Sequence, residues 1–519
     1  MQLTKPVFWL SIFGLVVLFV LLRKNNIDAP LTRDEGEYAY AAQILASGGT
    51  IYDQDFLQKP PMIAYTYAMA HAMAPTVPWS PRLMAAAFDA LATLLLGYVA
   101  RREFGVGVSL PAMWLMTLMI LLPHIEEFVA NTEMFMLLPL MGTVAVYVRS
   151  RYCHGGIGYW LAAGILSVLT FCYKYTALPF LVFLFVAWTY EAWRSGRNVR
   201  TLAGYWLGAL AGAIITAAGV LWPFLFHDGG KRFWECTVTF NRYYASSTTF
   251  GLNGLWFNLR GFLDSWWILF LVPLLLVFRS GRRVKFWLAA FALSWLMTAG
   301  SYYDHYYVVV MPFWALLAAV AVRNFAAWFS VKCRVAEDLT RRAEAVVVVF
   351  IALLPDAQWM TRSPADFVED KLGPKETCVA AKLVGERLAE LVPPGALVYV
   401  AGSEPQILCY AHRFSPSRFD IAYPFTVLSP VAKTYQLEAI RDIQVHPPSA
   451  IVLIRDTTSW LMQPASPTDF LDFLKKLLAE KYNIVGGYLE EDAPQRWLEP
   501  LPKEDASHCT LILFKRKTS

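Results

Sequence analysis

Residues 6–22, PVFWLSIFGLVVLFVLL, end at Arg23-Lys24 and are followed at 31–45 by LTRDEGEYAYAAQIL. The first stretch is long and apolar enough to cross a bilayer, for which about 17–25 residues suffice. It has no small-x-small cleavage site and meets charge at once, so it reads as an anchor rather than a cleaved signal peptide. In the second stretch Thr32 and, three residues on, Glu35 form a capping-box pattern. Asp34, Tyr38, Ala41, Ala42 and Leu45 then recur at helical spacing, which predicts an amphipathic helix lying at the membrane surface.

The apolar character of residues 6–22 recurs along the chain. Of 519 residues, 57% are hydrophobic and only 16% charged, where a soluble domain carries about a quarter charged residues. Further spans are predicted at 83–99, 108–123, 134–148, 157–173, 175–191, 202–224, 265–278, 285–300, 306–322 and 343–355, about 11 in all. The fold class is therefore an all-α polytopic membrane bundle, residues 1–362, followed by a C-terminal α/β soluble domain, residues 363–519. In the latter, 397–402, 450–454 and 510–514 read as buried strands and 468–481 as a helix. The turn Gly402-Ser403-Glu404-Pro405 after the first strand reads as structural or acceptor-positioning.

Lys and Arg set the sidedness. Alternate connections are basic, with Arg101-Arg102, Arg149 and Arg151, Arg194 to Arg200, Arg279 to Lys285, and Arg323 to Arg342, whereas 124–133 and 301–305 carry no Lys or Arg and 173–175 only Lys174. The expectation is a multi-pass protein of a bacterial inner membrane, N-terminus cytoplasmic, with loop 23–82, loop 225–264 and the C-terminal domain extracytoplasmic.

The acids gather on that outer side. Asp34, Glu35 and Glu37 open the surface helix, and Glu126-Glu127 and Glu133 precede the fourth span. Carboxylates beside hydrocarbon are expensive to hold and tend to be functional, although at a helix start they also complement the dipole. Between the two clusters lies Gln58-Lys59-Pro60-Pro61, where the prolines stiffen the backbone ahead of a helix. Lys59 has two readings, a snorkelling interfacial lysine or a point charge for a phosphate. Further on come Asn241-Arg242-Tyr243-Tyr244 and Ser301-Tyr302-Tyr303-Asp304-His305-Tyr306-Tyr307 before Met311-Pro312. The tyrosines have an aromatic-belt reading, and His305 an interfacial one, beside the reading in which all converge on one site.

Asp34-Glu35 after the first span, Lys59-Pro60-Pro61, Arg82 opening the second span, Glu133 before the fourth and His305-Tyr306-Tyr307 with Pro312 together resemble the GT-C membrane glycosyltransferases, nearest the bacterial protein O-mannosyltransferase and lipid A aminoarabinose transferase branch. The likeness covers residues 1–325. It implies a helical bundle with the first outer loop folded over the membrane. It also implies transfer of a sugar from a polyprenyl-phosphate donor to a lipid, glycan or protein hydroxyl, by single displacement with inversion. In that scheme Asp34 is the base, with Glu35 and Glu133 as its catalytic companions. Lys59, Arg242, His305, Tyr302 and Tyr303 bind the donor phosphate, and Tyr38, Glu126 and Glu127 bind substrate. The resemblance fixes no cofactor and leaves a divalent cation open. Two positions depart from the aminoarabinose branch: Glu37 stands where that branch is basic and Gln58 where it is acidic. Both argue against the lipid A activity itself.

No Gly-x-x-x-x-Gly-Lys-Ser/Thr loop is present, which disfavours an ATP-driven pump. The seven cysteines have no paired metal spacing; Cys378, Cys409 and Cys509 leave room for one disulfide or for free thiols. The basic cytoplasmic loops account for the net charge of +5 without nucleic acid. A transporter or flippase of lipid-linked sugars is the other class to weigh, but it calls for polar groups near the midplane or repeated halves. The sequence instead puts its charges at span ends.

Overall fold

The computed structural model describes residues 5–23, 27–75, 79–120, 129–153, 155–225, 229–247, 281–299, 304–334, 362–372, 377–489, 496–502 and 504–517, with 256, 260 and 336. Helices stand at nine of the predicted spans: α1 (Lys5–Arg23), α4 (Trp79–Phe104), α5 (Val106–Ile120), α6 (Thr132–Tyr152), α7 (Ile157–Phe171), α8 (Leu178–Arg194), α9 (Val199–Leu221), α12 (Arg282–Ser294) and α13 (Met311–Cys333). Predicted spans 265–278 and 343–355 lie outside the described residues. By length and apolarity five of the described helical stretches can cross a membrane: 79–104, 132–152, 175–194, 199–224 and 305–333.

Two features of the bundle follow from composition. On α9, Gly208, Ala209 and Gly212 have no side chain bulk, and α7 comes so close that a Cβ at Gly212 would lie 2.2 Å from the Leu161 carbonyl oxygen. Close approach at small residues is how helices associate where lipid removes the hydrophobic drive. Conversely, Trp9, Leu10, Phe13, Leu207, Leu210, Ile214 and Ile215 are more than half exposed, an apolar surface that only hydrocarbon or another apolar partner would cover.

Between α1 and α4 the chain forms α2 (Arg33–Ala46) and α3 (Met62–Met73). The expected capping box is present: the Thr32 hydroxyl accepts from the Glu35 N–H, and the Glu35 carboxylate accepts from the Thr32 N–H. Pro60-Pro61 leads directly into α3 as the stiff entry it was expected to be. The expected helix α2 forms, and it is covered by protein instead of lying open. Ten of its residues are buried, because the C-terminal region closes over it. A Cβ on Gly36 would fall 2.5 Å from the Gln406 backbone nitrogen, so only glycine permits that approach.

Loop 225–264 contributes α10 (Gly229–Trp234), a π-turn (Glu235–Phe240) and α11 (Asn241–Ser247). The C-terminal region follows with α14 (Pro364–Leu372), α15 (Cys378–Leu391), β1 (Val398–Ala401), α16 (Gln406–Ala411), α17 (Tyr423–Thr426), α18 (Ala432–Val445), β2 (Ala450–Ile454), α19 (Asp469–Lys481), β3 (Tyr482–Leu489), β4 (Arg496–Leu498) and β5 (Cys509–Arg516). The sheet order is β1-β2-β5-β3-β4, with β1 and β2 parallel and the other pairs antiparallel. The three expected strands and the helix at 468–481 are there; β3 and β4 are additional. All seven cysteines are unbridged.

Candidate functional site

The site forms where the first turn of α2, the loop before α3, the start of α6 and the turn before α8 meet at one end of the bundle. Asp34 lies on the first turn of α2, and Lys59 reaches it from the loop, Nζ to Oδ2 3.7 Å. Their side chains keep 31% and 21% exposure, so the pair faces an opening. The Tyr38 hydroxyl, one turn along α2, donates to Asp34 Oδ2 at 3.4 Å, and Thr132 Oγ1 donates to the Tyr38 oxygen at 3.1 Å. Burial works to raise the Asp34 pKa, but Lys59 and then His305, Arg33 and Lys174 outweigh it and hold the carboxyl below its ordinary range. Burial likewise opposes the Lys59 charge, and Asp34, Tyr38, Tyr306 and Glu37 more than restore it, so the ammonium titrates well above its ordinary value. The result is a stable carboxylate beside a stable cation.

Glu133, at the first turn of α6, is buried and ion-paired with Lys174. Lys174 also lies over the face of Tyr306, 2.9 Å from the ring centroid. Its pKa is pulled down to about 8, by burial first and by the like charge of Lys59, against the pull of Glu133. Tyr306 in turn meets His305 edge-on, ring centroids 4.8 Å apart. His305 is buried and is among the charges acting on Asp34.

Glu35 turns the other way. Its carboxylate is fully enclosed and takes Arg82 Nε at 2.8 Å and Nη2 at 2.5 Å, the Ala130 N–H at 2.8 Å and the Thr32 N–H at 3.1 Å. Arg82 further donates to the carbonyls of Ala29 and Pro30. Arg33 binds Glu404 through Nε at 3.1 Å and Nη2 at 2.5 Å, so the turn after β1 ties directly to the helix that carries Asp34.

Arg242 is exposed on α11. Its neighbour Asn241 donates to the Gln58 carbonyl at 2.7 Å, which puts the start of α11 against the residue before Lys59. Glu126, Glu127, Tyr302 and Tyr303 lie outside the described residues. Among the described residues, no three His, Cys, Asp or Glu side chains are grouped to hold a metal ion. The two departures meet: Glu37 Oε1 accepts the Gln58 N–H at 3.0 Å. One expectation about charge placement is corrected, since Asp89 lies fully buried inside span 79–104, ion-paired with Arg23.

Lys174 is the residue that sequence reasoning missed. It appeared only as a lone basic residue in a three-residue connection. The usable signal was that same loneliness, a lysine in a short connection where the matching connections 124–133 and 301–305 carry none.

No sequence-family model matches the chain, and no curated protein matches it. In three dimensions, the helical bundle with its folded first loop and appended α/β unit shares its fold with solved GT-C glycosyltransferases. ArnT from Cupriavidus metallidurans bound to undecaprenyl phosphate shares it at TM-score 0.58 and 16% identity, over 88% of this chain and 94% of that one. ArnT from the same organism in the apo state aligns over 98% of both chains at TM-score 0.58 and 14% identity. The apo oligosaccharyltransferase of Archaeoglobus fulgidus covers 94% of this chain and 74% of its own at TM-score 0.54 and 12% identity. Such identities speak for a common fold.

Proposed function

We propose that this chain is a membrane glycosyltransferase that moves a sugar from a polyprenyl-phosphate-linked donor to an acceptor hydroxyl, on the extracytoplasmic side of a bacterial inner membrane. The observation that carries the reading is the partly open Asp34–Lys59 pair, 3.7 Å apart, at the end of a GT-C bundle. Asp34 accepts the proton of the acceptor hydroxyl as its oxygen bonds to the anomeric carbon. The bond from that carbon to the phosphate oxygen breaks, and its electrons leave with the polyprenyl phosphate. Displacement from the face opposite the phosphate inverts the anomeric centre. Lys59 meets the charge that grows on the leaving phosphate, where a preplaced cation is most effective, and Arg242, beside the same loop, can approach the phosphate from α11. Glu133, held by Lys174, orients the acceptor or the sugar. Glu35 is a positioning residue that fixes the first turn of α2 through Arg82. Undecaprenyl phosphate, seen bound to ArnT of the same fold, is the natural form for the carrier lipid to try first.

A transporter of lipid-linked sugars is the second reading, and buried Asp89 inside a span is the feature that favours it. Its pairing with Arg23 gives it a structural explanation instead. Proteoliposomes of the purified protein, supplied with undecaprenyl-phosphate sugars and scored by mass spectrometry, separate the two. Loss of sugar from the carrier to an acceptor is the expected result. Intact donor crossing the bilayer without transfer would overturn the enzymatic reading.

A further inference from the structure

The loop that presents Lys59 is gripped by a part of the chain some 360 residues away. Phe56, three residues before Lys59, is fully buried. It stacks on Phe419 with ring centroids 5.4 Å apart, lies under the Arg418 guanidinium at 4.9 Å, and gives its N–H to Asp420 Oδ1 at 3.0 Å. Arg418 is anchored in turn by Glu438 at 2.8 Å and Glu235 at 3.2 Å. The loop needs this hold. Tyr52 sits at φ 72°, a left-handed conformation that a non-glycine residue keeps only when its surroundings enforce it. Its N–H donates to Asp55 Oδ1 at 2.6 Å and its hydroxyl to the Lys59 carbonyl at 3.0 Å.

Asp55 and Asp420 are each about 1% exposed, and each uses one oxygen. The other oxygen of each, Oδ2, is buried with no hydrogen-bond partner. The N–H that Asp420 accepts belongs to the residue after Asp55, which brings the two enclosed carboxyls close together, where a second charge and an empty buried acceptor are both costly. One proton between them satisfies both oxygens and removes one charge. We propose that Asp420 shares a proton with Asp55, and that this pair lets the C-terminal region fix the loop that aims Lys59 at the donor phosphate. Asp420 and Asp55 are then positioning residues, acting through Lys59; the proposal rests on the function proposed above.

Other observations agree. Burial, then the field of Glu37, raises the Asp55 pKa to about 7. Burial, then Asp55 itself, raises that of Asp420 to about 8. The groups facing the pair are Glu37 and Tyr40 of α2, Tyr52 of the loop, Cys236 of the π-turn, and Tyr399, Cys409 and Arg418 of the C-terminal region. Arg418 is the cation that opposes the rise. Glu37 is also raised to about 8, by burial foremost, with Lys59 pulling against it. A group raised in the folded state holds its proton, and contributes its stabilisation, at low pH. That contribution falls away as pH rises through the folded values, here about 7 to 8. The loop should therefore loosen as pH climbs through that window.

The test uses the full-length protein in detergent, with Asp420→Asn and Asp420→Ala. Asparagine keeps the acceptor for the Phe56 N–H and donates an amide N–H to Asp55, imitating the shared proton without titrating. Hydrogen–deuterium exchange at 52–59 reads the grip with no substrate present, so a lack of sugar transfer would count against the enzyme reading and leave this test standing. Expected are faster exchange in the wild type on going from pH 6.5 to 8.5 beyond the intrinsic chemical rate, a flat corrected profile in Asp420→Asn, and fast exchange at both pH values in Asp420→Ala. The apparent KM for the undecaprenyl-phosphate sugar should rise about tenfold in Asp420→Ala, the scale of one lost buried hydrogen bond, with kcat much less affected and Asp420→Asn near wild type. An Asp420→Asn protein as loose as Asp420→Ala, or a wild-type loop indifferent to pH, would overturn the shared proton.

Discussion

Removing the Glu35 carboxylate should weaken the fold far more than it disturbs the chemistry. Glu35 and Arg82 are a bidentate pair with side chains 0% and 2% exposed, and the carboxylate also serves two buried N–H groups, of Ala130 and Thr32. Breaking one partner of a buried ion pair costs about 3–5 kcal/mol, because the other charge stays enclosed and uncompensated. Each orphaned N–H adds roughly 1–3 kcal/mol where the cavity does not relax or admit water. Glu35→Ala should therefore lose at least about 3 kcal/mol, while Glu35→Gln, which keeps an acceptor and the shape, should lose less. In Glu35→Gln/Arg82→Gln the stranded charge is gone, so the double variant should be more stable than the sum of the single losses predicts. Thermal unfolding in detergent at fixed lipid content, run on the wild type, Glu35→Ala, Glu35→Gln, Arg82→Gln and the double variant, measures these losses. A Glu35→Gln protein with wild-type unfolding and donor binding but transfer reduced about a hundredfold would return Glu35 to the chemistry.

Lys59→Ala should weaken binding of undecaprenyl phosphate by about ten- to a hundredfold, the worth of one charge-assisted contact of 1.5–3 kcal/mol. Calorimetry showing unchanged affinity would make Lys59 a snorkelling residue. Glu133→Gln should raise the acceptor KM at least as much as it lowers kcat, and steady-state titration of acceptor at saturating donor reads the split. For topology, a cysteine placed at exposed Gln54 should react with an impermeant maleimide on intact cells, whereas native exposed Cys153 and Cys333 should react only after permeabilisation. The reverse pattern would invert the orientation.

What the sequence made legible was local. The Thr32–Glu35 capping box needs four residues, the Pro60-Pro61 entry to α3 two, and the apolar runs announce themselves by length. Asp34 and Lys59 could be assigned to one site because the Asp34-Glu35 and Lys59-Pro60-Pro61 motifs that carry the resemblance share the first outer loop. What escaped needed distance or a broken pattern. The Arg33–Glu404 and Phe56–Asp420 contacts join parts of the chain more than 360 residues apart, so nothing near α2 signalled that it would be covered rather than lie open. Arg82 was read as a span marker, yet it is the partner that commits Glu35. β3 was missed because its alternation is interrupted: Gly486-Gly487 weakens strand character, and the register shifts between Ile484 and Gly486. Asp89, the one charged residue of predicted span 83–99, was passed over because its partner Arg23 lies at the end of a different span.

If Asp34 takes the acceptor proton while Lys59 holds the donor, single-turnover transfer by Asp34→Asn will show it. The substitution keeps size and hydrogen-bonding reach and removes only the base. With enzyme in excess over undecaprenyl-phosphate sugar in proteoliposomes, and donor binding measured on the same preparation, the rate of sugar transfer should fall about 10²–10⁴-fold while donor affinity stays within a few-fold. Transfer at the wild-type rate by Asp34→Asn, with donor bound as tightly as before, would mean that Asp34 is not the base.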